Sequence, residues 1–353
     1  MLLGLPLTRR IALAGRRAGF SAVREPGEAL DLAPGRARLV FVPSDVVPQV
    51  SFLKALLTLP LVPERLHRAG AVFLVETERA DDASMQPGEL ATRFGPAVDV
   101  AEPPGAFTLR SAADLRSAER FLLRGLVKDE EGFMSRHVER RISLAVTRRL
   151  AGTGVTPNAM TLVSVAIGLA GAAFFVRETP AFQVTGALLF LAHSILDGCD
   201  GELARLEFKE SRFGGVLDFW GDNVVHVAVF VAIGIGWART TGAPWPLALA
   251  ASAALGTLAS ASYVYATTMS PAAAGRAAGA QGPLFTSVTR GPASRASRVA
   301  DALARRDFIY LVVLLSAFGK ARWFLALAAV GSPAFFAVLL VVSRSRPSQR
   351  SSS

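Results

Sequence analysis

Four aspartates punctuate an apolar stretch, "ILDGCDGELARLEFKESRFGGVLDFWGD" (195–222), as Asp197, Asp200, Asp218 and Asp222. Asp197 and Asp200 are three apart and Asp218 and Asp222 four apart. On helices each pair shares one face, with about 5–6 Å between side-chain bases. Two such helix ends facing each other would bring four carboxylates into one small volume. Left bare, like charges that close repel until one or more takes a proton. A hard divalent cation, Mg²⁺, Mn²⁺ or Ca²⁺, removes the conflict because it prefers carboxylate oxygen. Four solvated aspartates capping two helices are the plainer alternative. Against it stands the cost of an intramembrane carboxylate, about 2.5–3.5 kcal/mol on insertion scales, which makes such residues functional by default.

The neighbours of the aspartates narrow the chemistry. Gly198, Gly201, Ala204, Gly214 and Gly215 are small and let a ligand approach the backbone closely. Arg205 follows the first acidic pair and offers a planar fork for phosphate. Metal, arginine and close backbone together suit phosphoryl transfer. Cys199, the only cysteine, rules out an intrachain disulfide framework and reads as a small filler between two aspartates.

Asp197-x-x-Asp200-Gly201-x-x-Ala204-Arg205, eight residues, Gly214, three residues, Asp218, three residues, Asp222 resembles the signature of the CDP-alcohol phosphotransferase family, with every fixed position present. The resemblance covers roughly 135–343. It implies six transmembrane helices, a homodimer and transfer of a phospho-alcohol from a CDP-alcohol donor to an alcohol acceptor, with CMP leaving. It also implies Mg²⁺ or Mn²⁺, two ions being the expectation, held by Asp197, Asp200 and Asp218 with Asp222 completing the set. Asp222 is in addition the implied general base. Gly201, Ala204, Arg205 and Gly214 would border the donor. "TPNAMT" (156–161) is similar to a family feature, and its Asn158 and Thr161 share a helical face from which they could reach the nucleotide or the aspartates. An ordinary N-cap is the alternative for Asn158. His193 and His226 lie one turn from Asp197 and Asp222; each could orient a carboxylate, but a bond to nearby backbone is the favoured reading. Arg305 and Arg306 are the expected docking point for an acceptor phosphate, or else interfacial anchors.

The elements that must position these residues are legible in the hydropathy. The chain has 353 residues, 51% of them hydrophobic, a mean hydropathy of +0.39 and a formal charge of +10. A basic excess alone fits nucleic acid, anionic lipid or polyphosphate; the site points to a nucleotide-linked alcohol at a membrane, with no nucleic-acid partner. Apolar runs at 158–176, 181–196, 215–237, 245–268, 307–319 and 322–343 predict a polytopic α-helical membrane domain over 157–343. "GKAR" (319–322) puts two cations between the last two runs, which favours a hairpin over one long helix. Basic residues before the first run, in 270–306 and in the Ser-rich tail (344–353) place both termini and the aspartates on the cytoplasmic side of the inner membrane. Residues 135–152 predict an amphipathic helix on the anionic leaflet, with Ile142, Ala145, Val146 and Arg149 or Leu150 at helical spacing, or a connector packed on the soluble domain. It lies in a juxtamembrane linker over 126–156.

Residues 1–125 predict a small cytoplasmic α/β domain. Strand-like runs "FSAVR" (20–24), "RLVFVPSD" (38–45) and "AVFLVET" (71–77) alternate with helical stretches such as 51–59. "MLLGLPLTRRIALAGRR" has too short an apolar run for a secretory signal. Residues 4–24 and "VFVPSD" (40–45) resemble sugar-phosphate nucleotidyltransferases, which would make Asp45 a metal-binding aspartate. Some family members that make di-myo-inositol phosphates fuse such a unit to the membrane domain, and "KDEEGFMSRHVERRIS" (128–143) is similar to their junction. The glycine-rich nucleotide loop expected before Gly4 is missing, so a degenerate, structural domain is favoured over a start placed too far downstream. The fusion favours an inositol-phosphate type of reaction. Two other classes compete: a cation-conducting transporter built on the acidic cluster, and a membrane-anchored nucleotidyltransferase. The intact Asp-Gly and Ala-Arg spacing disfavours the first and the missing loop the second.

Overall fold

The computed structural model describes residues 1–25, 35–127, 138–270 and 308–344. The chain divides into two compact units. One comprises Met1–Lys128, Arg148–Gly154 and Arg205–Lys209; the other comprises Asp129–Thr147, Val155–Ala204 and Glu210–Ser353.

In the first unit, helix α1 (Leu7–Ala18) stops at Gly19, which adopts the left-handed conformation with φ 104°. The strand expected over 20–24 does not form. Phe20 instead packs back onto the core, and Gly15 leaves room on α1 for the Val23 methyls, so the segment is satisfied by a helix rather than by a neighbouring strand. The other two expected strands are present as β1 (Ala37–Phe41) and β4 (Val72–Thr77). They pair antiparallel from Ala37 opposite Thr77 to Phe41 opposite Phe73. Strand β3 (His67–Ala69) flanks β4 and β5 (Val98–Asp99) closes the order β1-β4-β3-β5, only the β3–β5 pair being parallel. Helix α2 (Val50–Leu56) covers the sheet by burying Phe52, Leu53 and Leu56 against Ala14 of α1 and Leu74. β2 (Val46–Pro48) and β6 (Ala106–Thr108) form a separate antiparallel pair. Helices α3 (Pro87–Phe94) and α4 (Leu115–Arg124) complete this unit.

Asp45 is exposed and its backbone carbonyl accepts from the Leu109 N–H. A cleft of about 750 Å³ is lined by Thr8, Ser21, Arg36, Arg38 and Ser44 among others. Arg38 on its wall pairs closely with Glu76, and Arg36 lies 3.6 Å from Glu78 with both side chains exposed. Elsewhere in the unit the buried Arg10 donates to the backbone carbonyls of Leu206 (2.8 Å) and Leu2 (3.0 Å). Burial lowers its guanidinium pKa to about 10, with Glu207 opposing, and it stays cationic at neutral pH. Glu207 accepts from the Gly152 N–H at 3.0 Å and from Lys209 at 2.7 Å.

The second unit is helical. Helix α5 (Arg140–Leu150) is followed by α6 (Pro157–Phe174), α7 (Pro180–Glu207), α8 (Arg212–Thr241) and α9 (Trp245–Val264, continued as a π-helical turn to Met269). After the segment 271–307 come α10 (Phe308–Ala317) and α11 (Ala321–Arg344). Among the described residues, six apolar helices match the six expected runs. Five are long and apolar enough to cross a membrane, whereas α10 shows ten residues. Gly319, with φ 65°, breaks the chain between α10 and α11 and makes the expected hairpin. Exposed Leu162, Leu188, Leu255, Leu327 and Val330 give the outer faces the apolar surface that lipid requires. The protein is a multi-pass membrane protein.

Inside lipid the backbone must satisfy itself, and helices associate through close packing of small residues. Both rules are visible where α9 meets α11. Pro333 has no N–H, which would leave the Ala329 carbonyl one turn back without its helical donor. Ser252 of α9 supplies the missing bond to that carbonyl at 2.8 Å. Gly256 makes the approach possible, because a Cβ there would stand 2.6 Å from the Pro333 nitrogen. On the other side of the bundle, Gly171 of α6 and Gly186 of α7 pack backbone to backbone, where a Cβ on Gly186 would meet the Gly171 carbonyl at 2.8 Å. Phe190, Val229, Ile233, Phe324 and Leu325 fill the space between.

One local expectation needs correction, and a second gains detail. The second and third apolar runs extend as helix well past their predicted ends, so only Phe208–Ser211 links α7 to α8. A 28-residue helix is about 42 Å long against about 30 Å of hydrocarbon, and the acidic motif rides on the excess. On α5, the face turned inward is Ser143 and Thr147, while Ile142 is 46% exposed and Ala145 is exposed as well. The apolar stripe is turned outward because the residue α5 packs against is a carboxylate.

Candidate metal centre

Thr156 caps α6, accepting from the Ala159 N–H at 3.2 Å, and Pro157 occupies the first helical position, where its missing N–H costs nothing. Asn158 is therefore not the N-cap. Its Oδ1 lies against Gly214 near the start of α8, where a Cβ would come within 2.9 Å of it. Ser211 caps α8 by accepting from the Gly214 N–H at 2.9 Å. The signature glycine at 214 thus lets α8 begin directly against α6.

With the helices placed in this way, Asp197 and Asp200 of α7 and Asp218 of α8 each offer a carboxylate oxygen within 4.8 Å of the others. Asp197 and Asp200 are buried, at 4% and 5% exposure, and Asp218 is half-buried. Three converging carboxylates with so little water around them are a donor set for a hard divalent cation and a poor arrangement without one. Thr161 of α6 donates from its hydroxyl to Oδ2 of Asp200, fixing that side chain from a third helix. This is one of the two partners expected for Thr161.

Asp222 stands apart from the three. Its Oδ1 lies 3.2 Å from Nε2 of His193, and Nδ1 of His193 lies 2.9 Å from the Ser164 carbonyl. The backbone bond favoured for His193 is present. The carboxylate it meets is Asp222 across the helix interface and not Asp197 on its own helix. His226 packs edge-on to Phe190 and tilted against Phe308. Gly201, Ala204 and Arg205 continue α7 over the turn beyond Asp200, all of them partly exposed. Arg305 and Arg306 lie outside the described residues.

One carboxylate was not singled out by the spacing. Glu202, two residues after Asp200, is fully buried and faces α5: Arg140 Nη1 and the Ser143 hydroxyl each reach Oε1 at 2.6 Å, and the Thr147 hydroxyl reaches Oε2 at 2.7 Å. Arg140, Ser143 and Thr147 recur at helical spacing, a polar stripe that was readable but lost to the more familiar apolar one. Glu202→Ala removes the anion and leaves its three partners facing a cavity. Loss of one member of a buried pair typically costs about 3–5 kcal/mol. We expect a clear drop in melting temperature in detergent for Glu202→Ala, and a drop for Arg140→Met as well, which leaves the fully buried Glu202 without its cation; equal melting of Glu202→Ala and wild type would contradict this.

The fold and the site define a class first: a polytopic helical membrane protein with an acidic divalent-cation centre at the end of two of its spans. Residues 154–330, half of the chain, match the CDP-alcohol phosphatidyltransferase family, and the chain belongs to it. A "Bifunctional IPC transferase and DIPP synthase" of Thermococcus kodakarensis is 35% identical over 153 residues, 43% of this chain and 34% of the relative. A "Phosphatidylinositol phosphate synthase" of Mycobacterium bovis is 31% identical over 134 residues, 38% of this chain and 60% of the relative. The chain thus spans about a third of the first relative's length. The crystal structure of Mycobacterium tuberculosis phosphatidylinositol phosphate synthase with CDP-DAG bound aligns with a TM-score of 0.40 at 21% identity, covering 60% of this chain and all of that one.

Proposed function

We propose that this protein transfers a phospho-alcohol from a CDP-alcohol to an acceptor hydroxyl, releasing CMP. The observation that carries the reading is the triad Asp197, Asp200 and Asp218 on the family signature, converging where α6, α7 and α8 meet. These residues would hold Mg²⁺ or Mn²⁺, in the family's manner as two ions with Asp222 nearby. The metal supplies charge neutralisation for the donor's pyrophosphate. Gly201 and Ala204 leave space for the nucleotide along α7, and Gly214 with Asn158 and Thr161 forms the facing wall. Arg205 offers its guanidinium to phosphate. In the transfer, an acceptor oxygen forms a bond to the donor phosphorus, the bond from that phosphorus to CMP breaks, and the hydroxyl proton passes to Asp222.

The names of the relatives and the fused N-terminal unit favour an inositol-phosphate type of acceptor or product. Arg305 and Arg306 are our candidates for its phosphate. The distribution of basic residues favours the cytoplasmic side for the site and both termini, and a homodimer is the expected assembly. The N-terminal unit serves as a structural domain in this reading.

Cation conduction through the same carboxylates is the competing reading, and reconstitution separates the two. Proteoliposomes supplied with CDP-diacylglycerol, CDP-inositol or CDP-glycerol and an inositol or glycerol phosphate should release CMP only with Mg²⁺ or Mn²⁺. They should carry no protein-dependent Mn²⁺ flux beyond that of empty liposomes. Flux without CMP release would select the transporter.

A further inference from the structure

We infer that His193 is the positioning residue for Asp222, holding one oxygen of that carboxylate and so fixing the orientation in which the side chain meets the acceptor hydroxyl. The inference rests on the transfer reaction proposed above and deepens it. His193 sits on α7 at 1% exposure, with both ring nitrogens engaged by different helices. The Ser164 carbonyl on α6 can only accept, so Nδ1 carries a hydrogen and donates to it at 2.9 Å. That bond sets the ring's orientation and turns Nε2 towards Oδ1 of Asp222 on α8, 3.2 Å away.

The ring cannot turn away. Phe190 stacks on it with centroids 6.2 Å apart and planes 19° from parallel. On α6, Gly168 leaves just enough space for it, since a Cβ there would lie 2.9 Å from the His193 Cγ. A histidine this buried needs a partner for each ring nitrogen, and backbone satisfies only the first. Its second bond reaches the one signature aspartate outside the converging triad, and the Asp222 side chain keeps 26% of its surface open. A carboxylate carried on two rotatable bonds keeps a productive orientation better when an oxygen is held by a fixed partner. An imidazole anchored on backbone supplies that tie, as backbone-anchored histidines do for metal ligands and catalytic groups elsewhere.

The test uses full-length protein in nanodiscs, with His193→Phe, His193→Gln, Asp222→Asn and the double variant His193→Phe/Asp222→Asn. Single-turnover CMP release is followed at saturating donor, acceptor and Mn²⁺, with the donor chosen from CDP-diacylglycerol, CDP-inositol and CDP-glycerol by wild-type turnover. Mn²⁺ affinity is measured separately by electron paramagnetic resonance. His193→Phe should lose about 10–100-fold in turnover while its Mn²⁺ affinity stays within about twofold of wild type. His193→Gln, whose amide can donate to the same oxygen, should recover part of that loss. The double variant should be no slower than Asp222→Asn alone, because the histidine acts through the aspartate. Full turnover in His193→Phe overturns the inference, as does a loss that multiplies with that of Asp222→Asn or a parallel collapse of Mn²⁺ affinity. A wild-type protein that releases no CMP from any of these donors overturns the proposed reaction together with it; an active wild type with any of the former results overturns the positioning role alone.

Discussion

Asp197→Asn is expected to lower CMP release on the order of a thousandfold while the protein still inserts and elutes as wild type does. The substitution keeps the shape of the side chain and one oxygen but removes a charge from a buried trio whose oxygens lie within 4.8 Å of one another. An amide is a far weaker ligand for a hard cation than a carboxylate, so Mn²⁺ affinity should fall in step with turnover. Asp218→Asn should behave alike, though its half-buried side chain has more room to relax. Titration of Mn²⁺ into each variant, beside CMP release at saturating metal, checks both effects. Undiminished release by either variant, or full turnover of wild type in excess EDTA, would remove the metal from the account.

Asp222→Asn is expected to behave differently in kind. Asp222 meets His193, lies outside the 4.8 Å cluster of the other three carboxylates, and is one helical turn further along α8 than Asp218. Its proposed task is to take the acceptor's proton, which an amide cannot do. General base catalysis is worth about 10²–10⁴-fold. Turnover should fall by that order while donor and metal affinity stay close to wild type, the pattern of an interaction used in the chemical step alone. Calorimetry with the CDP-alcohol and single-turnover CMP release separate the two. Loss of donor binding as complete as in Asp197→Asn would make Asp222 chiefly a ligand and send the search for the base elsewhere.

The aspartates were legible because their information is local. A spacing of three or four residues fixes a shared helical face, and apolar runs on both sides state what kind of helix carries it. The hairpin at Gly319 was legible for the same reason, from two cations and a glycine between two apolar runs. What the sequence hides is which faces meet. His193 is one turn from Asp197 along its own helix, yet it bonds Asp222, because packing of α7 against α8 brings that residue to the ring. Glu202 reads as one more charge beside the motif until Ser143 and Thr147 of α5 are seen to surround it. The same contact orients α5: a helix that packs on a buried carboxylate turns its hydroxyls inward and leaves Ile142 outside. In the N-terminal unit, strand-like composition at 20–24 could not show that α1, and not a neighbouring strand, would receive Val23. The acceptor is not written in the spacing at all, since one metal and phosphate grip serves many alcohols.

The central claim is that this chain moves a phosphorus-linked alcohol from CMP to a hydroxyl. ³¹P nuclear magnetic resonance of the purified protein in nanodiscs, given CDP-diacylglycerol or CDP-inositol with an inositol phosphate and Mg²⁺, tests it most directly. One CMP is expected for each new phosphodiester, both absent when the metal is chelated and both lost together in Asp197→Asn. CMP formed without a matching phosphodiester, or no CMP from any CDP-alcohol while the acidic centre still binds Mn²⁺, would contradict it.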